Sequence, residues 1–272
     1  MVVTGDLTRM SSEWASRRAF FGVSALLLAV SAVMTIVGCA SMSAMGKMPM
    51  AGGWMMSMAW VRMPGQTWPS AAASFLGLWV VMMIAMMLPS LVPMLWRHRK
   101  AVGLTGGTHL GQLTALVGVG YFFVWTVFGV AAFLLGVLLT EVEMQWPALA
   151  RAVPVMSGVV VLIAGGVQFS AWKAHYLACY RGVPRRGCAQ LADADAAWRH
   201  GLRLGIHCGQ CCANLMVILL VIGVMDLRAM AAVTAAVTVE RLVPVGERIA
   251  RITGAVVVGA GLFLIAQAAG LR

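Results

Sequence analysis

The sequence predicts an all-α, polytopic transmembrane helix bundle of six to seven spans, about seven as counted below. Three observations predict it. Hydrophobic residues make up 61% of the chain and charged residues 11%, against about 25% charged in a soluble domain. Mean hydropathy is +0.89. Several apolar runs reach the roughly 20 residues that a helix needs to cross a bilayer.

The first run, Ala19 to Gly38, is too long for the apolar core of a secretory signal, and no convincing A-x-A-like cleavage site follows it. It reads as a first span behind a cytoplasmic tail, 1–18. Residues 39–70 read as a Met-rich outer loop. Further spans follow at 71–95, 112–139, 154–174, 204–225, 229–243 and 252–270. The segment 229–243 is the weakest. It is short, carries Glu240 and Arg241 near its end, and starts just past Gly223 and Asp226. It therefore reads as one arm of a tight helical hairpin or as a re-entrant segment. Pro89, Pro93, Pro154 and Pro244 fall at or near helix ends, where a missing N–H costs least. Residues 175–203 read as a basic cytoplasmic loop, in which "DADAAWRHG" suits a short amphipathic helix. With no long Gly/Ser linker and no evident repeat, residues 19–272 form a single transmembrane domain.

Net charge is +11, but the basic residues sit in short segments between apolar runs, which is a topology signal and not a nucleic-acid surface. With seven spans and a cytoplasmic N-terminus, fifteen of the 20 Lys and Arg fall inside and five outside: Lys47, Arg62, Arg151, Arg228 and Arg272. The expected location is the cell membrane, multi-pass, with the N-terminus in the cytoplasm. The chain has no hydrolase triad, no P-loop and no G-x-G-x-x-G after a strand. His98, His109 and His200 read as loop residues.

Three stretches carry candidate chemistry. In "GIHCGQCCANLM" (205–216), His207 and Cys211 lie one helical turn apart, as do Cys208 and Cys212, and Cys208 and Cys211 are neighbours at i and i+3. Thiolate and imidazole ligands suit Cu(I), Zn or Fe–S chemistry. A single helix spreads four such ligands around too wide an arc to complete a site alone. Cys208-x-x-Cys211 also has the spacing of a redox dithiol, and cysteines that merely pack are common in buried positions.

The second stretch, "QFSAWKAHYLACY" (168–180), closes the fourth span at the same side. His175 and Cys179, at i and i+4, would complete the site, while Lys173 would snorkel to the interface or balance an anion. The third feature is methionine. Of 21, twelve fall between Met42 and Met87. Eight lie in the outer loop, and four, Met82, Met83, Met86 and Met87, in the second span as two i, i+4 pairs. Thioethers are neutral soft ligands that select Cu(I) over hard cations, although Met also serves as a flexible filler of helix interfaces. Thioethers outside, a methionine face within the membrane and thiols inside would order sites of rising Cu(I) affinity, in logic similar to the Met-rich Ctr copper importers but without homology to them. Asp226 reads as the cap of the following helix. Glu240 reads as the partner of Arg241, or, as a carboxylate near the thiol cluster, as a relay for protons released on metal binding.

"MMIAMMLPSLVPM" (82–94), "GYFFVWTVFGVAA" (120–132), "AGGVQFSAWK" (164–173), "GLRLGIHCGQCCANLM" (201–216), "GVMDLRAMA" (223–231) and "ERLVP" (240–244), in that order, resemble the DUF2182 family of metal-binding integral membrane proteins. The resemblance spans about residues 75–262 and implies a membrane protein that binds a metal. Where many members carry a CLxxC arrangement after the Q-x-x-x-x-K stretch, this chain has Tyr176 and Tyr180, with His175 and Cys179 each one residue earlier. A His/Cys pair then replaces a Cys/Cys pair.

The functional expectation is a soft-metal-binding membrane protein for Cu(I) uptake or membrane metallochaperoning, with Zn or Fe as the other candidate ions. The alternatives are a thiol-redox or electron-transfer protein using Cys208 and Cys211, and a non-catalytic scaffold. The candidate metal ligands are His207, Cys208, Cys211, Cys212, His175, Cys179, Met82, Met83, Met86 and Met87. Expected partners are the lipid bilayer, periplasmic and cytoplasmic metal donors and acceptors, and further copies of the chain in a homo-oligomer. Nucleic acid is not among them.

Overall fold

An apolar segment in lipid must satisfy its own backbone hydrogen bonds, and a helix does so within one segment. The computed structural model describes residues 2–44, 46–50, 53–57, 60–62, 65–104, 109–182 and 193–270. Its helices are α1 (Val2–Ala44), α2 (Trp68–Leu104), α3 (Leu110–Gln145), α4 (Pro147–Val167), α5 (Ala171–Gly182), α6 (Ala194–Ile222), α7 (Leu227–Leu242) and α8 (Gly246–Ala268). Two short strands, β1 (Lys47–Pro49) and β2 (Met55–Ser57), pair antiparallel with Met48 opposite Met56. Six helices, α1, α2, α3, α4, α6 and α8, are long and apolar enough to span a membrane. The molecule is thus an all-α polytopic bundle, with α7 as a seventh, shorter member.

Several boundaries move. The helices continue past the apolar runs into polar ends. α2 extends through "WRHRK" and α6 begins within "DADAAWRHG". His98 and His200 are therefore helical, not loop residues, and their rings stack 5.2 Å apart. The same extension leaves Pro89 and Pro93 inside α2, and Pro154 lies inside α4. The fourth span is not continuous to residue 174. α4 stops at Val167, and the turn Gln168–Ser170 separates it from α5.

Small residues set the closest packing, as they do where lipid supplies no hydrophobic drive between helices. A Cβ on Gly201 would strike the Val117 carbonyl and Gly120 of α3, and one on Gly205 would strike Val124 and the Tyr121 carbonyl. α6 thereby lies almost backbone to backbone on α3. Gly158 and Gly165 of α4 meet α8 at Gly261 and Val258 in the same manner. Gly201→Val is expected to separate α3 from α6 and to cost about 1–3 kcal/mol through overpacking, read as a lower melting temperature in detergent.

Three aromatic contacts join the ends. Trp79 Nε1 donates to the Trp125 carbonyl at 2.9 Å, tying α2 to α3. Trp60 packs against Phe75 with ring centroids 5.2 Å apart, and Trp54 Nε1 donates to the Ala150 carbonyl at 2.9 Å. The β hairpin is thus fastened over the ends of α2 and α4. The α6–α7 turn lies at this same hairpin end. Gly223 takes φ +137, and Asp226 caps α7, its Oδ1 accepting from Arg228 N at 2.8 Å and Ala229 N at 2.9 Å. From there α7 folds back along α6, so that its last turn lies beside Cys208.

Candidate metal centre

Cys208 sits at the middle of α6 and is fully buried. Three other helices reach it. Tyr121 of α3 places its hydroxyl 2.7 Å from Cys208 Sγ, with either atom able to donate. Met87 of α2 places its Sδ 3.9 Å from the same sulfur. Arg241 of α7 donates from Nη2 to Cys208 Sγ at 3.0 Å and to the Cys208 carbonyl at 3.1 Å, and from Nη1 to Ser90 Oγ at 3.1 Å. Cys212, one turn on, donates its thiol to the Cys208 carbonyl at 3.0 Å.

A second polar layer lies beside the first. Lys173 and Glu240 are each 1% exposed, and Lys173 Nζ lies 2.8 Å from Glu240 Oε2. Lys173 Nζ also donates to the Cys211 carbonyl at 2.7 Å, and Gln168 Nε2 donates to Glu240 Oε1 at 3.0 Å. The break between α4 and α5 makes this arrangement possible. It sets Gln168 and Lys173, both buried, against Glu240 of α7. Discontinuous helices are tolerated in a membrane where the freed backbone is buried in protein. Buried charges are held by pairing. Lys173 therefore does not snorkel, and the partner it finds is Glu240. A cavity of about 300 Å³ adjoins the break, lined among others by Gln168, Ser170, Lys173, Glu247 and Arg251.

The remaining expected ligands separate. Cys211 is buried on α6, and it joins the second layer through its carbonyl. His207 is half-buried, with its ring 6.4 Å from that of Tyr176 and its Nδ1 buried without a hydrogen-bond partner among the described residues. His175 is exposed and packs edge-on against Tyr176. Cys179 lies on α5, and its side chain falls outside the described residues. Met82, Met83, Met86 and Met87 are all buried in the core, and Met87 is the one whose sulfur meets a thiol. In the hairpin, Met56 is buried while Met55 is exposed. Met45, Met58 and Met63 lie outside the described residues. Among the described residues, no three His, Cys, Asp or Glu side chains converge on one metal position.

Sequence reasoning missed Tyr121, Ser90 and Gln168. A tyrosine or serine inside an apolar run carries no signal of its partner. It also read Glu240 as the partner of Arg241; Glu240 Oε2 lies 2.8 Å from Lys173 Nζ, and Arg241 reaches Ser90 and Cys208. The signal that would have placed both inside is the presence of two ionisable groups in one short apolar segment.

Fold and cluster together define a multi-pass helical membrane protein whose core holds sulfur side chains beside buried charge. Residues 76–264 match the model of the PpoB2 family, described as a copper chaperone. The chain belongs to that family, and is a membrane copper-related protein. Comparisons with curated proteins and with solved structures return no match.

Proposed function

We propose that the protein binds Cu(I) in the membrane at Cys208 and Met87 and passes it between the two sides, as an importer or a membrane metallochaperone. The observation that carries this reading is the buried thiol–thioether pair. Two sulfurs 3.9 Å apart can both stand about 2.3 Å from one soft ion, the length of a metal–thiolate bond. Cys212 and Cys211 supply further thiols on the same helix. Cu(I) is the divalent ions' soft competitor, and a thiol with a thioether favours it. Cu(I) binds the deprotonated thiol, and the Arg241 guanidinium, 3.0 Å from Cys208 Sγ, sets a positive charge against it.

Met83 and Met86 on α2 precede Met87 toward the hairpin end, and buried thioethers there suit stepwise approach of the ion. The charge distribution supports the hairpin end as the outer side and the N-terminus as cytoplasmic. Copper donors outside and acceptors inside are the partners this reading requires. The thiol-redox alternative draws on one observation, the guanidinium 3.0 Å from Cys208 Sγ.

The test is the metal content of protein purified anaerobically and loaded with Cu(I), beside Met87→Leu. That swap nearly conserves volume and so leaves the packing intact. Changes in outer-shell partners alone cost about 10–100-fold in metal affinity, so loss of the thioether is expected to weaken Cu(I) by at least about 10-fold. Zinc or iron at stoichiometric level would replace copper as the cargo. No metal in the loaded wild type would overturn the reading and leave the thiol-redox one.

A further inference from the structure

We propose that Cys39 and Met225 form a second soft-metal site, an entry site for Cu(I) at the hairpin end of the bundle. The inference deepens the function proposed above and rests on it for the identity of the ion.

Cys39 lies near the end of α1 that leads into the Met-rich hairpin, and it is 1% exposed. Its Sγ is 3.9 Å from Met225 Sδ, in the α6–α7 turn. The two residues are 186 positions apart, so the fold and not the local sequence brings them together. The spacing is the same as that between Cys208 and Met87. It lets both sulfurs stand about 2.3 Å from one ion. The chemistry is also the same, one thiol and one thioether, which together prefer Cu(I).

Two further observations favour a ligand there over simple packing. α1 faces outward along most of its length, with Val30, Val33, Met34, Ile36 and Val37 exposed. Its buried stripe is polar: Ser31, Thr35 and Cys39, at successive turns. Thr35 Oγ1 is buried with no hydrogen-bond partner among the described residues. It stands one turn from Cys39 on the same buried stripe, an unsatisfied hydroxyl close to the pair. Met225 is half-buried and packs at the margin of the core.

Binding forms a Cu(I)–thiolate bond and a Cu(I)–thioether contact, and releases the Cys39 proton. No electron is transferred, because the ion arrives as Cu(I). Cys39 lies outside the residues matched by the family, 76–264. The second site is accordingly an addition carried by α1.

The test uses the full chain, anaerobic and in detergent, with Cu(I) measured against a chromophoric chelator. In a Cys208→Ser/Cys211→Ser/Cys212→Ser background, one Cu(I) per chain is expected to remain, with two sulfur neighbours by X-ray absorption. Adding Cys39→Ser is expected to remove it. Adding Met225→Leu is expected to weaken it by at least about 10-fold, since outer-shell changes alone cost about 10–100-fold. No Cu(I) in the folded background, or the same ion persisting after Cys39→Ser, would overturn the inference. Should the background fail to fold, Cys39→Ser in the otherwise native chain is expected to lower the stoichiometry by one ion, and an unchanged value would overturn the inference equally. If the ion at Cys39 and Met225 binds while Cys208 binds none, the function proposed for the inner cluster falls and this site stands.

Discussion

Glu240→Gln is expected to be the most destabilising single change in the bundle. Lys173 and Glu240 are an almost fully buried ion pair, 2.8 Å apart. Removing one member leaves the other charge uncompensated, which costs about 3–5 kcal/mol. The amide introduced by the substitution would still accept a hydrogen bond, but it cannot neutralise the ammonium. The double variant Lys173→Met/Glu240→Gln removes both charges and is expected to recover most of the loss, because neutral side chains of similar size often replace a buried pair at little cost. Thermal unfolding in detergent reads both. A single variant that melts with the wild type would show that Lys173 reaches water in the folded protein.

Cys208→Ser is expected to remove the inner copper ion and to leave the fold in place. Tyr121 and Arg241 both bond to Cys208 Sγ, and a hydroxyl can accept from the same donors. What serine lacks is the soft, ionisable sulfur. Loss of a direct ligand is expected to exceed the roughly 100-fold that outer-shell changes reach. Chelator competition gives the affinity, and the melting temperature separates a missing ligand from a missing fold. Retention of wild-type Cu(I) affinity would move the inner site to Cys211 and Cys212.

The helices were legible because lipid leaves the chain few choices: a run of roughly 18 to 25 apolar residues becomes a helix. Their ends were not. "WRHRK" and "DADAAWRHG" continue as helix although their hydropathy falls, so His98 and His200 came to face one another instead of lying in loops. The Gln168–Ser170 break was hidden because the turn itself holds no Gly or Pro to mark it. The Cys208 cluster was visible as a dense local motif of soft ligands. Its surroundings were not, because Met87 is 121 residues away, Tyr121 is 87 and Arg241 is 33. Such partners are set by which helices pack together. Glycines such as Gly120, Gly201 and Gly205 decide that packing, and they look alike in sequence whether they touch a neighbour or face open space.

α7 has 16 residues, and at 1.5 Å per residue it is about 24 Å long. The hydrocarbon layer of a typical bilayer is about 30 Å thick. Part of the α7 surface is exposed, including Val239 and Leu242 beside the buried Glu240 and Arg241. A membrane-crossing α7 would require the lipid against it to thin by several ångströms, or headgroups to dip toward its end, at a cost of fractions of a kcal/mol per Å of mismatch. Membrane thickness would then bear on the helix that carries Arg241 to Cys208, and the length of the surrounding acyl chains on how firmly that arginine is held.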